Sequence, residues 1–244
     1  MTEEFNYGDT YAPIYGEYAK AHDKIAEVDQ TVTFLKRYCC GGSALELGIG
    51  DGRVAVPLSE RGVRVHGIDN SRSMLELLAK RSDRIKAWQG DIAFFKTEKR
   101  YNLVYCVYFT FTLLITREEQ IACLRSAMEA LDHEGVVVIE LYVPSSDPRV
   151  SGQESTIVRV ADQDNTILSV GIHDPLKQNL VSTVLWFSGA SIRRLPQRSR
   201  YVYHQELDTM AECAGLELSE RWGDWKRGEF GEGSKRHISV YRRK

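Results

Sequence analysis

Three glycines at alternate positions, Gly48, Gly50 and Gly52, break an apolar run and lead at once into helix-forming sequence, in Ala44-Leu-Glu-Leu-Gly-Ile-Gly-Asp-Gly-Arg53. Glycine adopts positive φ freely and carries no Cβ, so the backbone of such a loop can come close to a ligand. An acidic residue, Asp69, stands at the tip of the next apolar run, 21 residues beyond Gly48. A glycine loop followed by an acid at that distance describes a nucleotide-type cofactor held over the carboxyl ends of a parallel sheet. At this point the identity of the cofactor is open.

The dinucleotide fingerprint G-x-G-x-x-G uses its third glycine to bring a helix close under a pyrophosphate. Arg53 occupies that position here, and the glycines run G-x-G-x-G instead. A bulky side chain at the close-packing point makes NAD and FAD poor candidates. No Gly-Lys-Ser/Thr follows the glycines, which excludes a P-loop.

The elements that must carry this loop alternate. Strand-like apolar runs at 43–48, 63–68, 85–89, 101–107 and 135–142 are separated by helical patterns at 53–61, 71–81 and 116–131. Ser71 stands as an N-cap for the second of these helices. The strands are apolar throughout rather than alternating, which predicts a parallel sheet covered on both faces. The pattern changes after Pro144: runs at 155–160, 166–173, 181–187 and 192–195 have only turn residues between them, so an antiparallel insertion is expected. A helix at 205–214 and strands at 216–222 and 237–241 then restore the first pattern. Residues 1–40 carry Tyr7, Tyr11, Tyr15 and Tyr18, then apolar residues at helical spacing. The expected organisation is one α/β domain. It has a helical segment at 1–40, a Rossmann-like core at 41–147, an insertion at 148–203 and a last helix and strand pair at 204–244.

Composition narrows the class. A chain of 244 residues with 43% hydrophobic content can bury a full core. The formal net charge of −2 gives no polyanion-binding signature, so nucleic acid is not expected as a main partner. The five cysteines form no C-x-x-C, and Cys39 and Cys40 are adjacent, which fits reduced thiols in a cytoplasm rather than disulfides or zinc. The acidic start lacks the apolar stretch of a signal peptide, and no run approaches the ~18 apolar residues of a membrane span. A cytoplasmic protein without a membrane partner is therefore expected.

With these landmarks in place, the chain resembles the class I S-adenosylmethionine (SAM)-dependent methyltransferases. Leu45-Glu-Leu-Gly-Ile-Gly-Asp-Gly-Arg53 is similar to their first motif, His66-Gly-Ile-Asp-Asn70 to their second, and Gln89-Gly-Asp-Ile92 to their third. Asp91 lies 22 residues beyond Asp69, and Tyr101-Asn-Leu-Val-Tyr-Cys106 and Leu131–Glu140 match later landmarks. The resemblance implies a seven-stranded, mostly parallel sheet with helices on both faces, and SAM as cofactor with S-adenosylhomocysteine as its product. It also implies roles. Asp69 would accept from both ribose hydroxyls, with Asn70 beside it. Asp91 and the Ile92 amide would read the adenine edge, and Met74 would lie on its face. Glu46, Arg53, the Cys106 carbonyl, Gly48 and Gly50 would take the methionine end. Asp51 stands where many members carry threonine; either side chain can cap the following helix.

Tyr11-Ala-Pro-Ile-Tyr15 resembles the opening of small-molecule methyltransferases, among them the amino-sugar N-methyltransferases of antibiotic pathways. There the tyrosine-rich helix is a lid over the cofactor and the antiparallel insertion a substrate cap. Ala12 and Pro13 depart from the usual pattern. By this resemblance Tyr15 would contact the cofactor, and Tyr11, Tyr18 and Tyr108 the acceptor. The absence of Asp/Asn-Pro-Pro-Tyr/Phe after strand four argues against DNA adenine or glutamine-amide acceptors, and no metal is expected. The implied activity is methyl transfer to an oxygen or nitrogen of a small molecule of secondary metabolism; the alternative is a non-methylating reaction, such as cyclisation, on the same fold. A hydroxyl acceptor would benefit from a base, whereas an amine needs only to lose its proton at some stage. The candidate bases are His204, Glu140, Tyr142 and His173, with His22 behind them. A homodimer is compatible with the sequence.

Overall fold

The structure, a computed structural model, describes residues 6–22, 25–39, 41–144 and 154–244. Seven strands form one sheet: β1 (Ser43–Leu47), β2 (Arg64–Asp69), β3 (Lys86–Gln89), β4 (Tyr101–Cys106), β5 (Leu131–Tyr142), β10 (Leu216–Trp222) and β11 (Arg236–Arg243). Their spatial order is β3-β2-β1-β4-β5-β11-β10. The pairs from β3 to β5 are parallel, while β11 runs antiparallel to both β5 and β10. The chain reverses its direction of travel between β1 and β4, and in open α/β sheets the crevice at such a switch point takes the ligand.

Apolar residues at every position of the central strands are explained by two cores. Leu45, Leu47, Val104 and Cys106 face one side, where α6 (Arg117–Ala130) and α7 (His204–Cys213) supply Leu124, Ala127, Leu207 and Met210. Ala44, Leu103 and Tyr105 face the other, packed with Leu35 of α3 (Ile25–Lys36), Leu58 of α4 (Ala55–Glu60) and Leu78 of α5 (Arg72–Arg81). Local signals set the helix starts. Ser71 caps α5 by accepting from the Met74 amide at 3.1 Å. Thr116 and Glu119 form a reciprocal capping box on α6. Two boundaries differ from expectation. The helix after the glycine loop begins at Ala55, because the loop itself occupies the first residues, and β5 starts at Leu131 instead of after a turn at Gly135.

The insertion is a separate four-stranded antiparallel sheet, β6 (Glu154–Ala161), β7 (Asn165–Asp174), β8 (Asn179–Ser188) and β9 (Ser191–Arg200). Its buried face meets the short helix α1 (Tyr7–Tyr11): Ile167, Val184, Trp186 and Leu195 pack with Tyr11 and Met74. The helix α2 (Tyr15–His22) adds Tyr18, whose ring meets Trp186 edge-on at 6.1 Å, and Glu17, which pairs with Arg193 at 2.6 Å. At the opposite end Arg200 is buried and ties the insertion to α6 and α7 through Gln120 and Glu206. Among the described residues, no helix is long and apolar enough to cross a membrane.

Candidate active site

Two cavities meet at the carboxyl ends of β1, β2, β4 and β5, roofed by α1, α2 and the buried face of the insertion. The larger, about 790 Å³, is lined by Gly48, Gly50, Asp69, Asn70, Met74, Asp91 and Ile92. The smaller, about 430 Å³, is lined by Glu46, Arg53, Tyr18, Tyr108, Phe109 and Tyr142, and by Arg159, Ser182, Gln197 and Ser199 from the insertion. Tyr7, Tyr15, Gly48, Gly50, Thr110 and Leu113 line both, so the two spaces are continuous.

The glycine loop is built for this junction. All three glycines have positive φ: 73° at Gly48, 55° at Gly50 and 79° at Gly52. A Cβ on Gly48 would lie 2.3 Å from Thr110 Cγ2 and one on Gly52 2.4 Å from Leu78 Cδ1, whereas one on Gly50 would meet nothing within 4 Å. Close approach to a ligand is therefore the business of Gly50; the outer two glycines admit neighbouring side chains. Asp69 fastens the loop from beneath, accepting from the Gly50 amide at 2.8 Å with Oδ2 and from the Ser71 amide at 2.9 Å with Oδ1. Each oxygen keeps acceptor capacity toward the cavity. Burial pushes this carboxyl above its ordinary range, and the Ser71 and Gly50 amides pull the other way. This set fits an adenosine-bearing cofactor: an acid for a diol, an open glycine for close approach, and a buried methionine for a flat ring.

In the smaller cavity Glu46 is buried and accepts from the Tyr105 hydroxyl at 3.0 Å. Its pKa is driven well upward by burial, against that hydrogen bond. The Arg53 guanidinium lies 3.5 Å over the Tyr108 ring, a cation–π stack. Burial pushes the Tyr108 and Tyr142 phenols up to about 12, so both are protonated at neutral pH. Among the described residues lining either cavity there is no histidine and no lysine.

Several residues singled out by sequence lie elsewhere. His204 opens α7 with its ring 5.1 Å from Phe230 and 6.2 Å from His237, off both cavities, because the helix start faces the β11 side of the sheet rather than the crevice. His173 packs on Tyr201 at 4.9 Å in the hairpin between β7 and β8. Glu140 is fully buried beneath the crevice and bonded to the Tyr108 amide and Arg236. The Cys106 side chain points into the apolar core, and burial raises its thiol pKa. Tyr11 is buried in the roof, stacked on Tyr7 at 4.1 Å. None of these side chains lines either cavity. The His22 side chain lies outside the described residues.

Sequence reasoning missed Phe109, Thr110, Arg159, Ser182, Gln197 and Ser199. A signal existed for the last three. Ser182 and Gln197 are cross-strand partners, as are Leu180 and Ser199, and all four face inward where the same strands otherwise bury Val184, Trp186 and Leu195. Polar residues at inward positions mark a face that meets a ligand rather than a core.

The histidine pair near α7 has a consequence for stability. His237 is buried, with Nδ1 2.9 Å from Ser239 Oγ and no partner for Nε2 among the described residues. Burial first, then the Arg221 cation, push its pKa down to about 3. An unfolded chain takes up that proton near pH 6.5, so the stability is complete above that pH and is lost as pH falls toward the folded value. By pH 5 the expected loss is about 2 kcal/mol. Urea unfolding at pH 7 and pH 5 checks it, with His237→Asn expected to flatten the dependence; equal losses in both proteins would count against the assignment.

Comparison with known proteins agrees with this geometry. Residues 44–135 match a family model described as a methyltransferase domain. The solved structure of the CcbJ methyltransferase from Streptomyces caelestis is 34% identical, covers 97% of each chain and superposes with a TM-score of 0.90. The cypemycin N-terminal methyltransferase of a Streptomyces species is 28% identical, over 73% of this chain and 74% of its own. SAM-bound CalS10, an amino pentose methyltransferase from Micromonospora echinaspora, shares the fold with a TM-score of 0.69 at 18% identity, covering 100% of this chain and 99% of its own.

Proposed function

We propose that this chain, which belongs to the SAM-dependent methyltransferase family, methylates an amine nitrogen of a small molecule. The observation that carries the choice of nitrogen is the acceptor-side lining. Its phenols are held protonated by burial, Glu46 is held by Tyr105, Asp51 pairs with Arg81, and no histidine or lysine is present among the described lining residues. An alcohol would find no histidine or lysine among these described lining residues to take its proton. A neutral amine needs no base to attack, and the aromatic surroundings favour its uncharged form by desolvation. The cypemycin enzyme, named for methylating an N-terminus, supports the same reading.

When bound, SAM supplies a sulfonium-borne methyl group open to in-line displacement. In this reading Asp69 and Asn70 hold the ribose, Asp91, Ile92 and Met74 the adenine, and Tyr15, Glu46, Gly48, Gly50, Arg53 and the Cys106 carbonyl the methionine end. The smaller cavity takes the acceptor. There Tyr18, Tyr108 and Tyr142 exclude water, Tyr11 supports the roof from behind, and Ser182, Gln197 and Ser199 orient polar groups. Most of the rate then comes from proximity and alignment in a dry site. The reading keeps residues 1–40 as a lid and 148–203 as a substrate cap. It keeps the cytoplasm as the compartment, excludes nucleic acid and membrane as partners, and allows a homodimer. The relatives named above are all methyltransferases, which leaves a non-methylating reaction such as cyclisation without support.

Transfer of tritiated methyl from SAM to matched pairs of small acceptors, each amine set against its alcohol, tests the choice. Label is expected in the amines alone. Label in the alcohols, or no binding of SAM at all, overturns the reading.

A further inference from the structure

We infer that Glu140, with Arg236, is a positioning pair that holds the aromatic turn Tyr108–Phe109 at the junction of the two cavities. The inference rests on the methyltransferase reading of that site.

The turn needs holding. Tyr108 and Phe109 have φ of 52° and 63°, two successive non-glycine residues in the left-handed region, where an L residue crowds its Cβ against the following carbonyl. Neither residue is of the type that visits this region readily, so surrounding structure must impose it. The imposing group is visible. Glu140 Oε2 accepts from the Tyr108 amide at 2.6 Å, and Glu140 Oε1 accepts from Arg236 Nη1 at 2.8 Å. Glu140 pairs in register with Ile238 and Tyr142 with Arg236, which sets the carboxylate and the guanidinium diagonally on one face of β5 and β11. Arg236 is braced from behind by Glu27 of α3. Its guanidinium also sits 5.7 Å from the Phe109 ring, which meets Tyr142 edge-on at 5.6 Å. From the opposite side Arg53 of the glycine loop covers Tyr108.

The turn runs directly into a short 3-10 segment, Thr110–Leu113. Thr110 and Leu113 line both cavities, and Thr110 fills the space a Cβ on Gly48 would need. A shift of the Tyr108 amide therefore moves the acceptor wall and the packing beneath the glycine loop together. Glu140 itself lines neither cavity and is not a catalytic residue. Its effect passes through the backbone it holds.

The test uses S-adenosylhomocysteine as the probe and needs no acceptor. In Glu140→Gln the amide exchange of residues 107–113, read by mass spectrometry, is expected to be about tenfold faster. The dissociation constant measured by calorimetry should rise roughly three- to tenfold, with the thermal midpoint moved by only a few degrees. A merely structural role would lower the midpoint without changing affinity. Glu27→Gln, which loosens Arg236 from the outer side, should shift exchange and affinity the same way by a smaller factor, and it decides the matter if Glu140→Gln does not fold. Unchanged exchange, or faster exchange with unchanged affinity, overturns the inference. Failure of the unaltered protein to bind the probe would instead overturn the cofactor reading beneath it.

Discussion

Replacing Asp69 with alanine should weaken SAM binding by about a hundredfold or more. The carboxylate stands at the end of β2, buried to 9% exposure, with one oxygen on the Gly50 amide and the other on the Ser71 amide. Among the described residues lining the larger cavity, the other carboxylates are Asp91 and Glu119, which belong to other elements. A hydrogen bond to a charged group contributes roughly 1.5–3 kcal/mol. Loss of two such bonds to a ribose diol is then about 3–6 kcal/mol, roughly two to four orders of magnitude in affinity. A second effect adds to it: the Gly50 amide loses its acceptor, and the loop loses the fastening that aims it. Asp69→Asn keeps an acceptor oxygen and should fall between the two. Calorimetric titration with S-adenosylhomocysteine, on protein shown to be folded by circular dichroism, measures the effect. An alanine variant within threefold of the unaltered affinity would remove Asp69 from the site.

The second large effect is on stability. Arg200 is 6% exposed and donates to Gln120 Oε1 at 2.7 Å, Gln178 Oε1 at 3.1 Å and Glu206 Oε1 at 2.6 Å. Gln178 closes the ring by donating to Glu206 Oε2 at 2.7 Å, and Gln120 donates to the Leu114 and Arg200 carbonyls. The network joins the last residue of β9 to α6 and α7, so it welds the insertion to the core. Breaking a fully buried pair by removing one partner typically costs about 3–5 kcal/mol, but Glu206 is part-exposed and keeps the Gln178 donor, so water offsets some of that cost. Arg200→Ala is expected to lose about 2–4 kcal/mol and to lower the melting temperature by roughly 4–16 °C. Urea unfolding would show it. A loss below about 1 kcal/mol would mean that Glu206 rotates to water and that the weld is not needed.

The cofactor half of the site was legible because its signals are local. A glycine loop, the strand before it and the acid one βα unit later are dictated by backbone conformation and periodicity within short windows. Ser71 as a cap is likewise a matter of three residues. The acceptor half was not legible in that way. Its wall comes from the loop after β4, the end of β5, α2 and three strands of the insertion, and no window of sequence contains more than a fragment of it. His204 and Glu140 illustrate the limit. Both have the chemistry of a base and both lie near the sheet's carboxyl end, but which face a side chain takes depends on strand register and on what packs there. Tyr108–Phe109 is the sharper case. Nothing in a Tyr-Phe pair predicts left-handed backbone, since the conformation is imposed by a carboxylate 32 residues away.

The sequence by itself determined the doubly covered parallel sheet and the antiparallel insertion, since each follows from spacing and apolar pattern along the chain, and its resemblance to a known family supplied the kind of cofactor. Only the tertiary structure decided which groups face the acceptor, that no histidine or lysine among the described lining residues does, and that Glu140 lies beneath the turn instead of in the cavity. Those outcomes depend on long-range packing, where a residue's role is set by its neighbours in space and not by its neighbours in sequence.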